Sequence, residues 1–310
     1  MMINEAGESI HKTVLLNETI EGLGLSRSQA LGISKSMASE KIILDATFGG
    51  GGHSREILER YPEIKIVALD QDKDTWKKAE NKFKGLEKRI SFLNINFRDI
   101  KEDDKFDGII FDLGLSSDQL ENSGRGFSFI KDEPLLMTMK ENPLPEDLTA
   151  IDIVNGWSEK SLADIIYGYG EERFSRRIAK GIVEARKKNR IERTTDLVKI
   201  ISESVPSTYR KQRLHFATRT FQALRIAVND ELGALQIGLE KGLKILNKGG
   251  RMAVISFHSL EDRIVKRFFK EKERNGEVFL INKRPIIAGE KEIKNNARSR
   301  SAKLRILEKI

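Results

Sequence analysis

Four consecutive glycines and three acids are the residues of this chain whose types and spacing could do chemistry. The segment Asp45-Ala-Thr-Phe-Gly49-Gly50-Gly51-Gly52-His53-Ser54 places an acid and then bare backbone between an apolar run, Lys41–Asp45, and a helical pattern. Glycines there let the main chain turn tightly and approach a ligand without Cβ obstruction. Asp70 closes a second apolar run, Ile64–Asp70, 19 residues beyond Gly51. In doubly wound folds an acid at about that distance, roughly 20 residues, hydrogen-bonds a ribose. Glycines alone would indicate only a turn; loop and acid together point to a cofactor containing a nucleoside.

Charge selects among such cofactors. A dinucleotide places its pyrophosphate on the loop and helix N-terminus, where the carboxylate of Asp45 would repel it. No Gly-Lys-Ser/Thr follows the glycines, so a P-loop is excluded. A third acid, Asp112, ends the apolar run FDGIIFDL. Acids at the ends of two such runs suit a ligand with positive charge. S-adenosylmethionine carries an ammonium and a sulfonium and no phosphate. The D-x-x-x-G-x-G arrangement from Asp45 to Gly51 is similar to the first motif of class I methyltransferases.

These groups need elements to position them. Apolar runs at Lys41–Asp45, Ile64–Asp70, Ile90–Ile95 and Phe106–Leu113 alternate with helical patterns at Ser54–Arg60, with Ser54 as N-cap, and Asp72–Phe83. Largely apolar strands alternating with helices predict a parallel sheet covered on both faces. From Glu133 to Arg213 no strand signal remains, only helical periodicity and turn residues. A long amphipathic helix then spans His215 to about Leu246 and stops at Asn247-Lys-Gly249-Gly250. Arg251–Phe257 is a fifth strand, Ser259–Arg274 a helix with Ser259 as N-cap, and Val278–Asn282 and Leu304–Leu307 two closing strands. The predicted fold is α/β: a Rossmann-like core with a seven-stranded, mostly parallel sheet. Residues 1–132 and 214–310 form this core, and residues 133–213 are an inserted all-helical domain.

Composition narrows the chemistry. The 310 residues include no cysteine, which excludes disulfides, thiolate metal sites and a cysteine nucleophile. Methylation at C5 of a pyrimidine generally needs a thiolate, whereas methylation at nitrogen or a ribose oxygen does not. The four histidines have no metal-binding spacing, so no metal site is expected. No apolar stretch reaches membrane-span length and no signal core opens the chain, so the expected location is the cytoplasm. The net charge of +8 is concentrated. Glu171–Arg213 holds thirteen basic against six acidic residues and Lys283–Arg305 eight against two, leaving the rest net acidic. Two such basic segments can be solvated surface or a footprint for a polyanion.

Longer segments carry a specific resemblance. His11–Glu18 (HKTVLLNE), DATFGGGGHS, FDLGLSSDQL, RGFSF (Arg125–Phe129), YGEERFSRRIA (Tyr169–Ala179), ATRTFQALRIAVNDEL (Ala217–Leu232), SFHSLEDRIVK (Ser256–Lys266) and ARSRSAKLR (Ala297–Arg305) occur in order nearly end to end. The chain closely resembles the bacterial 16S ribosomal RNA cytosine-N4 methyltransferases. That resemblance implies methyl transfer from S-adenosylmethionine to the exocyclic N4 of a cytidine in the decoding centre. It implies that the helical insertion recognises RNA, and that the cofactor site comprises Gly51, Gly52, His53, Asp70, Phe97, Asp112 and Gln119. As residues, His53 could equally cap or pack at the helix start, and Phe97 could be a core aromatic. The implied partner is 16S rRNA within the small ribosomal subunit or a late assembly intermediate. A homodimer is compatible with the sequence, and no motif specifies the oligomeric state. The chain departs from many relatives at Thr13 and Asp118, where they have proline, and at Leu136 and Thr138, where they have aspartate and arginine.

Cytosine's amino group is a poor nucleophile because its lone pair is delocalised into the ring. An acceptor for its N–H would turn the lone pair toward the methyl group; the candidate is Asp112, the expected catalytic residue, or a neighbouring backbone carbonyl in Asp112-Leu-Gly-Leu-Ser116. The target base must be unpaired or flipped out. Arg125, the arginines of Arg173–Arg193, and Arg298, Arg300 and Arg305 are the expected RNA contacts. His258 and Glu261 open a helix near the substrate side, as a cap or as functional groups.

Overall fold

The computed structural model describes residues 13–25 and 41–310. His11 lies outside the described residues. The chain divides into two compact units, one comprising Ser117–Glu231 and the other the segments on either side of it.

The first unit is built on an eight-stranded sheet. Strands β1 (Lys41–Asp45), β2 (Ile64–Leu69), β3 (Ile90–Leu93), β4 (Phe106–Asp112), β5 (Leu246–Ser256), β6 (Val278–Leu280), β7 (Ile286–Ile287) and β8 (Lys303–Lys309) take the order β3-β2-β1-β4-β5-β8-β6, and β7 pairs with β8 off this path. The first five are parallel, and β8 runs antiparallel to β5. The expected count of seven omitted β7, whose two residues are too short to show periodicity. The central parallel strands are largely apolar because neighbouring residues face opposite covered sides. Ile43, Ile66, Ile110 and Ile255 enter one core with Ile20 and Ile57. Leu44, Leu69, Ile109, Phe111 and Val254 enter the other with Leu235, Leu239, Val265 and Phe269. Helices α1 (Leu16–Gly22) and α2 (Gly52–Arg60) supply the first set of partners; α11 (Glu231–Ile245) and α12 (Ser259–Arg274) supply the second. The turn α3 (Asp74–Ala79) continues as a 3-10 segment to Phe83, and α13 (Glu290–Asn295) precedes β8.

Two expected caps differ. Helix α2 begins at Gly52 behind Gly51, whose φ of 71° suits glycine, and the Ser54 hydroxyl instead donates to the Asp45 carboxylate at 2.6 Å. Helix α12 is capped by His258 rather than Ser259. The Glu261 N–H donates to His258 Nδ1 at 3.3 Å, while the Glu261 carboxylate accepts the His258 N–H at 3.2 Å.

The second unit is helical: α4 (Ser117–Asn122), α5 (Ala150–Gly156), α6 (Glu159–Gly168), α7 (Ser175–Arg186), α8 (Thr194–Ser204), α9 (Ser207–Arg210) and α10 (Thr218–Asn229). Its apolar stripes recur at helical spacing, with Leu162 and Ile166, Ile178 and Ile182, and Leu197 and Ile201 all fully buried. The unit begins and ends outside the expected 133–213. Asn229 explains the later end: its amide donates to the Met137 carbonyl at 2.8 Å and accepts the Met139 N–H at 2.8 Å, tying α10 to that loop. The single helix expected over 215–246 is two helices. Asp230 breaks it with φ 46°, and Arg225 spans the break by two 2.8 Å bonds to the Glu231 carboxylate.

Candidate active site

Parallel strands bring three acids to one edge of the sheet. Asp45 ends β1, Asp70 follows β2, and Asp112 ends β4. β1 lies between the other two strands, so the loop leaving it is flanked by both neighbouring acids. Gly49 and Gly51 hold φ of 51° and 71°, a region L-residues rarely adopt. A Cβ on Gly51 would sit 2.6 Å from the Phe48 ring, and one on Gly52 would overlap the Thr13 hydroxyl. At Gly49 the nearest atom would be 3.8 Å away, so the loop is open there.

The loop is held by the acids themselves. Gly49 N–H and Asp72 N–H each donate to the Asp70 carboxylate at 2.9 Å. Each carboxylate oxygen has a second lone pair, so Asp70 retains acceptor capacity for a ribose hydroxyl. The buried Asp45 accepts from the Ser54 hydroxyl and from Thr47 N–H. Thr47 in turn accepts the Asp112 N–H through its hydroxyl at 2.6 Å. His53, also buried, has Nδ1 3.6 Å from Asp112 Oδ2.

Burial pushes Asp45 up to about 6, against the lowering effect of the Ser54 and Thr47 bonds. Burial likewise raises Asp70 to about 6, opposed by the two N–H bonds and assisted by the charges of Asp72 and Asp45. Asp112 is pushed up to about 8, first by burial and then by Asp45 and Glu261, with Arg298 opposing. Its Oδ1 is buried and accepts no hydrogen bond among the described residues. An unmet acceptor among acids that resist ionisation is an environment that a donor group with positive charge would satisfy.

Of the expected site residues, Gly51, Gly52, His53, Asp70 and Asp112 meet at this edge. Phe97 is packed: its ring lies edge-on to Phe111 at 5.4 Å, and a Cβ on Gly238 would reach it at 2.5 Å. It remains half-buried. Gln119 lies on α4 of the second unit. Thr47 and Ser54 were missed. Their signal was available, since each hydroxyl falls within nine residues of Asp45 in the glycine segment itself.

The expected RNA contacts divide. Arg125 is buried and donates to the Met139 carbonyl at 2.8 Å. Arg305 is buried against Asp262 at 2.7 Å, beside Lys303 at 3.2 Å. Neither is presented to solvent, which corrects both assignments. Arg186 holds the Val154 and Trp157 carbonyls. Arg173, Arg176, Arg177, Arg190 and Arg300 are exposed, Arg193 is exposed and bonded to Asp132, and Arg298 is half-buried.

The profile of the MraW methylase family matches residues 8–310. The chain belongs to the MraW methylase family. Similar relatives include the ribosomal RNA small subunit methyltransferase H of Synechococcus elongatus, 46% identical over 97% of this chain and 95% of that one. The protein of the same name from Acaryochloris marina is 45% identical over 100% and 97%. Among solved structures, the N-methyltransferase NodS of Bradyrhizobium japonicum WM9 aligns at 8% identity with a TM-score of 0.40, over 93% of this chain and 97% of that one. The strand order β3-β2-β1-β4-β5, all parallel, with antiparallel β8 beside β5, defines the fold. As an MraW methylase the protein is an enzyme, a methyltransferase dependent on S-adenosylmethionine. The geometry fits that cofactor: bare backbone, acids in place of phosphate-binding cations, and an unmet acceptor at Asp112.

Proposed function

We propose that the protein methylates the exocyclic N4 of a cytidine in the decoding centre of 16S rRNA, within the small ribosomal subunit or a late assembly intermediate. The names of its relatives support small-subunit ribosomal RNA as substrate, and the motif resemblance supports the N4 position. The observation that carries the reading is the buried, unpartnered Oδ1 of Asp112 at the end of β4. No cysteine exists in the chain for the C5 alternative.

Gly51, Gly52, His53, Asp70, Phe97 and Asp112 are the residues assigned to hold the cofactor; the assignment of Gln119 rests on the motif resemblance alone. When bound, the cofactor supplies an electrophilic methyl on a sulfonium. The protein's part is to hold the attacking nitrogen in line with that methyl, where positioning and exclusion of water lower the barrier. Asp112 accepts an amino N–H of the cytosine, which turns the lone pair away from the ring. Once ionised by the nearby positive charge, Asp112 would take the proton that N4 loses as the N–C bond forms; the methyl–sulfur bond that breaks would leave its electron pair on a neutral thioether. Thr47 anchors the Asp112 backbone, and His53 Nδ1 lies 3.6 Å from its carboxylate. The exposed arginines of α7 and its flanks are assigned to phosphates; binding by them falls steeply with salt.

Mass mapping of methylated nucleosides in small-subunit RNA, from cells with and without the protein, tests the reading. Loss of an N4-methylated cytidine is expected. An unchanged map, or loss of a C5 or ribose methyl instead, would overturn it.

A further inference from the structure

Beyond β5 the same sheet edge carries a cavity of about 260 Å³. Its lining includes the aromatic Phe257, the aliphatic Ile287 and Ile293, and the polar Ser259, Arg300 and Ser301. One fact sets it apart from the cofactor hollow, and two join it to Asp112. The strand order β1-β4-β5-β8 places the glycine loop on one side of Asp112 and the cavity on the other. The register runs Asp112 to Ile255, Ile255 to Leu304, and Leu304 to Ile286, so the cavity follows directly from the strand next to Asp112. Phe257 links the two: its ring lies 3.8 Å from where a Cβ on Gly114 would stand, two residues past Asp112.

The chemistry of the walls is mixed in a particular way. Lys303 is bound to Asp262, whereas Arg300 is exposed and forms no ion pair among the described residues. An aromatic ring and aliphatic side chains suit the face of a base, and a free guanidinium suits a phosphate. The volume lies just below the range of roughly 300–1,000 Å³ common for drug-sized ligands, which leaves room for one nucleotide. The surrounding segment, Lys283–Arg305, is also one of the two concentrations of positive charge in the chain.

We propose that this cavity is a second nucleotide subsite, holding the ribonucleotide next to the methylated one, with its base against Phe257 and Ile287 and its phosphate on Arg300. The assignment rests on the RNA reading above and deepens it. A neighbour held on one side of Asp112, with the cofactor hollow on the other, would keep the strand splayed and the target base presented at Asp112. Discrimination among RNA sites would then come partly from the neighbour.

The test uses the full chain, unmethylated small ribosomal subunits and labelled S-adenosylmethionine. Arg300→Gln removes the phosphate partner at an exposed position, and Ser301→Phe fills the cavity from its exposed rim. Both variants should keep the wild-type Tm and donor affinity. Each is expected to raise KM for subunits about tenfold at nearly unchanged kcat, the loss of roughly one base or phosphate contact. For Arg300→Gln the slope of log KM against log salt should fall by about one phosphate's worth. If both variants fold, bind donor and keep KM within about twofold with an unchanged salt slope, the subsite is overturned. If the wild type transfers no methyl to the subunits, the substrate reading fails instead, and the subsite falls with it.

Discussion

The acids of the sheet edge and the arginines of the basic segments were equally conspicuous in the sequence, yet the folded chain treats them oppositely. Asp45, Asp70 and Asp112 are drawn into low-dielectric surroundings and held by backbone and hydroxyl bonds at a cost in ionisation. Most arginines of the second unit, Arg173, Arg176, Arg177 and Arg190 among them, stay in solvent. Groups that meet the reacting atoms are pre-positioned in a dry site, whereas groups that meet phosphates work as a dispersed field. Arg125 and Arg305 show that charge alone does not assign a residue to either class. Both are buried and serve the fold.

The sharpest way to break the comparison is Asp112→Asn. Asn keeps an acceptor oxygen but cannot take the N4 proton, so kcat should fall by about 10²–10⁴-fold. Because the native carboxyl resists ionisation, the empty variant should be at least as stable as wild type at pH 8 in a thermal melt. Full turnover, or marked destabilisation, would move Asp112 from the chemistry to the scaffold.

Gly52→Ala comes next. The added methyl would overlap Thr13, and relief of an overpacked contact costs typically ~1–3 kcal/mol. Denaturant melts should show that loss, and calorimetry should show donor binding weakened far more than stability.

Two arginine substitutions then sharpen the contrast on the basic side. Arg305→Ala leaves the half-buried Asp262 with only Lys303 beside it. Loss of one partner from a fully buried pair costs ~3–5 kcal/mol; solvent access to Asp262 and the remaining lysine should reduce this to about 1–2 kcal/mol. Arg176→Ala should change stability by less than about 0.5 kcal/mol while flattening the salt dependence of subunit binding. Equal stability losses in the two variants would erase the distinction.

The smallest effect is in pH. A carboxyl whose folded pKa lies above its unfolded value binds its proton more tightly when folded. Its contribution to stability is therefore complete below pH 3.8 and is lost as pH rises through about 6 for Asp45 and Asp70 and about 8 for Asp112. The empty protein should lose at least about 3 °C in Tm between pH 5 and pH 8.5, and Asp112→Asn should lose less.

The parallel sheet and its acidic edge were legible because strands buried on both faces read as uninterrupted apolar runs, and an acid at the end of such a run is conspicuous. Features set by tertiary contacts were not. Asp230 breaks the helix where Arg225 can clasp Glu231, and no periodicity reports that. His258 caps α12 although serine follows it, because Glu261 is placed to complete the reciprocal bonds. Phe97 reads alike as a ligand wall or as packing, and its contacts with Phe111 and Gly238 are visible only in the fold.

The most direct test is calorimetry of S-adenosylmethionine binding between pH 5.5 and pH 7, in two buffers of different ionisation enthalpy. Acids raised into this range should make affinity climb about tenfold, with release of roughly one proton per donor bound at pH 7. Affinity that stays flat with pH, with no proton exchanged, would contradict a site tuned by Asp45, Asp70 and Asp112 to receive a cation.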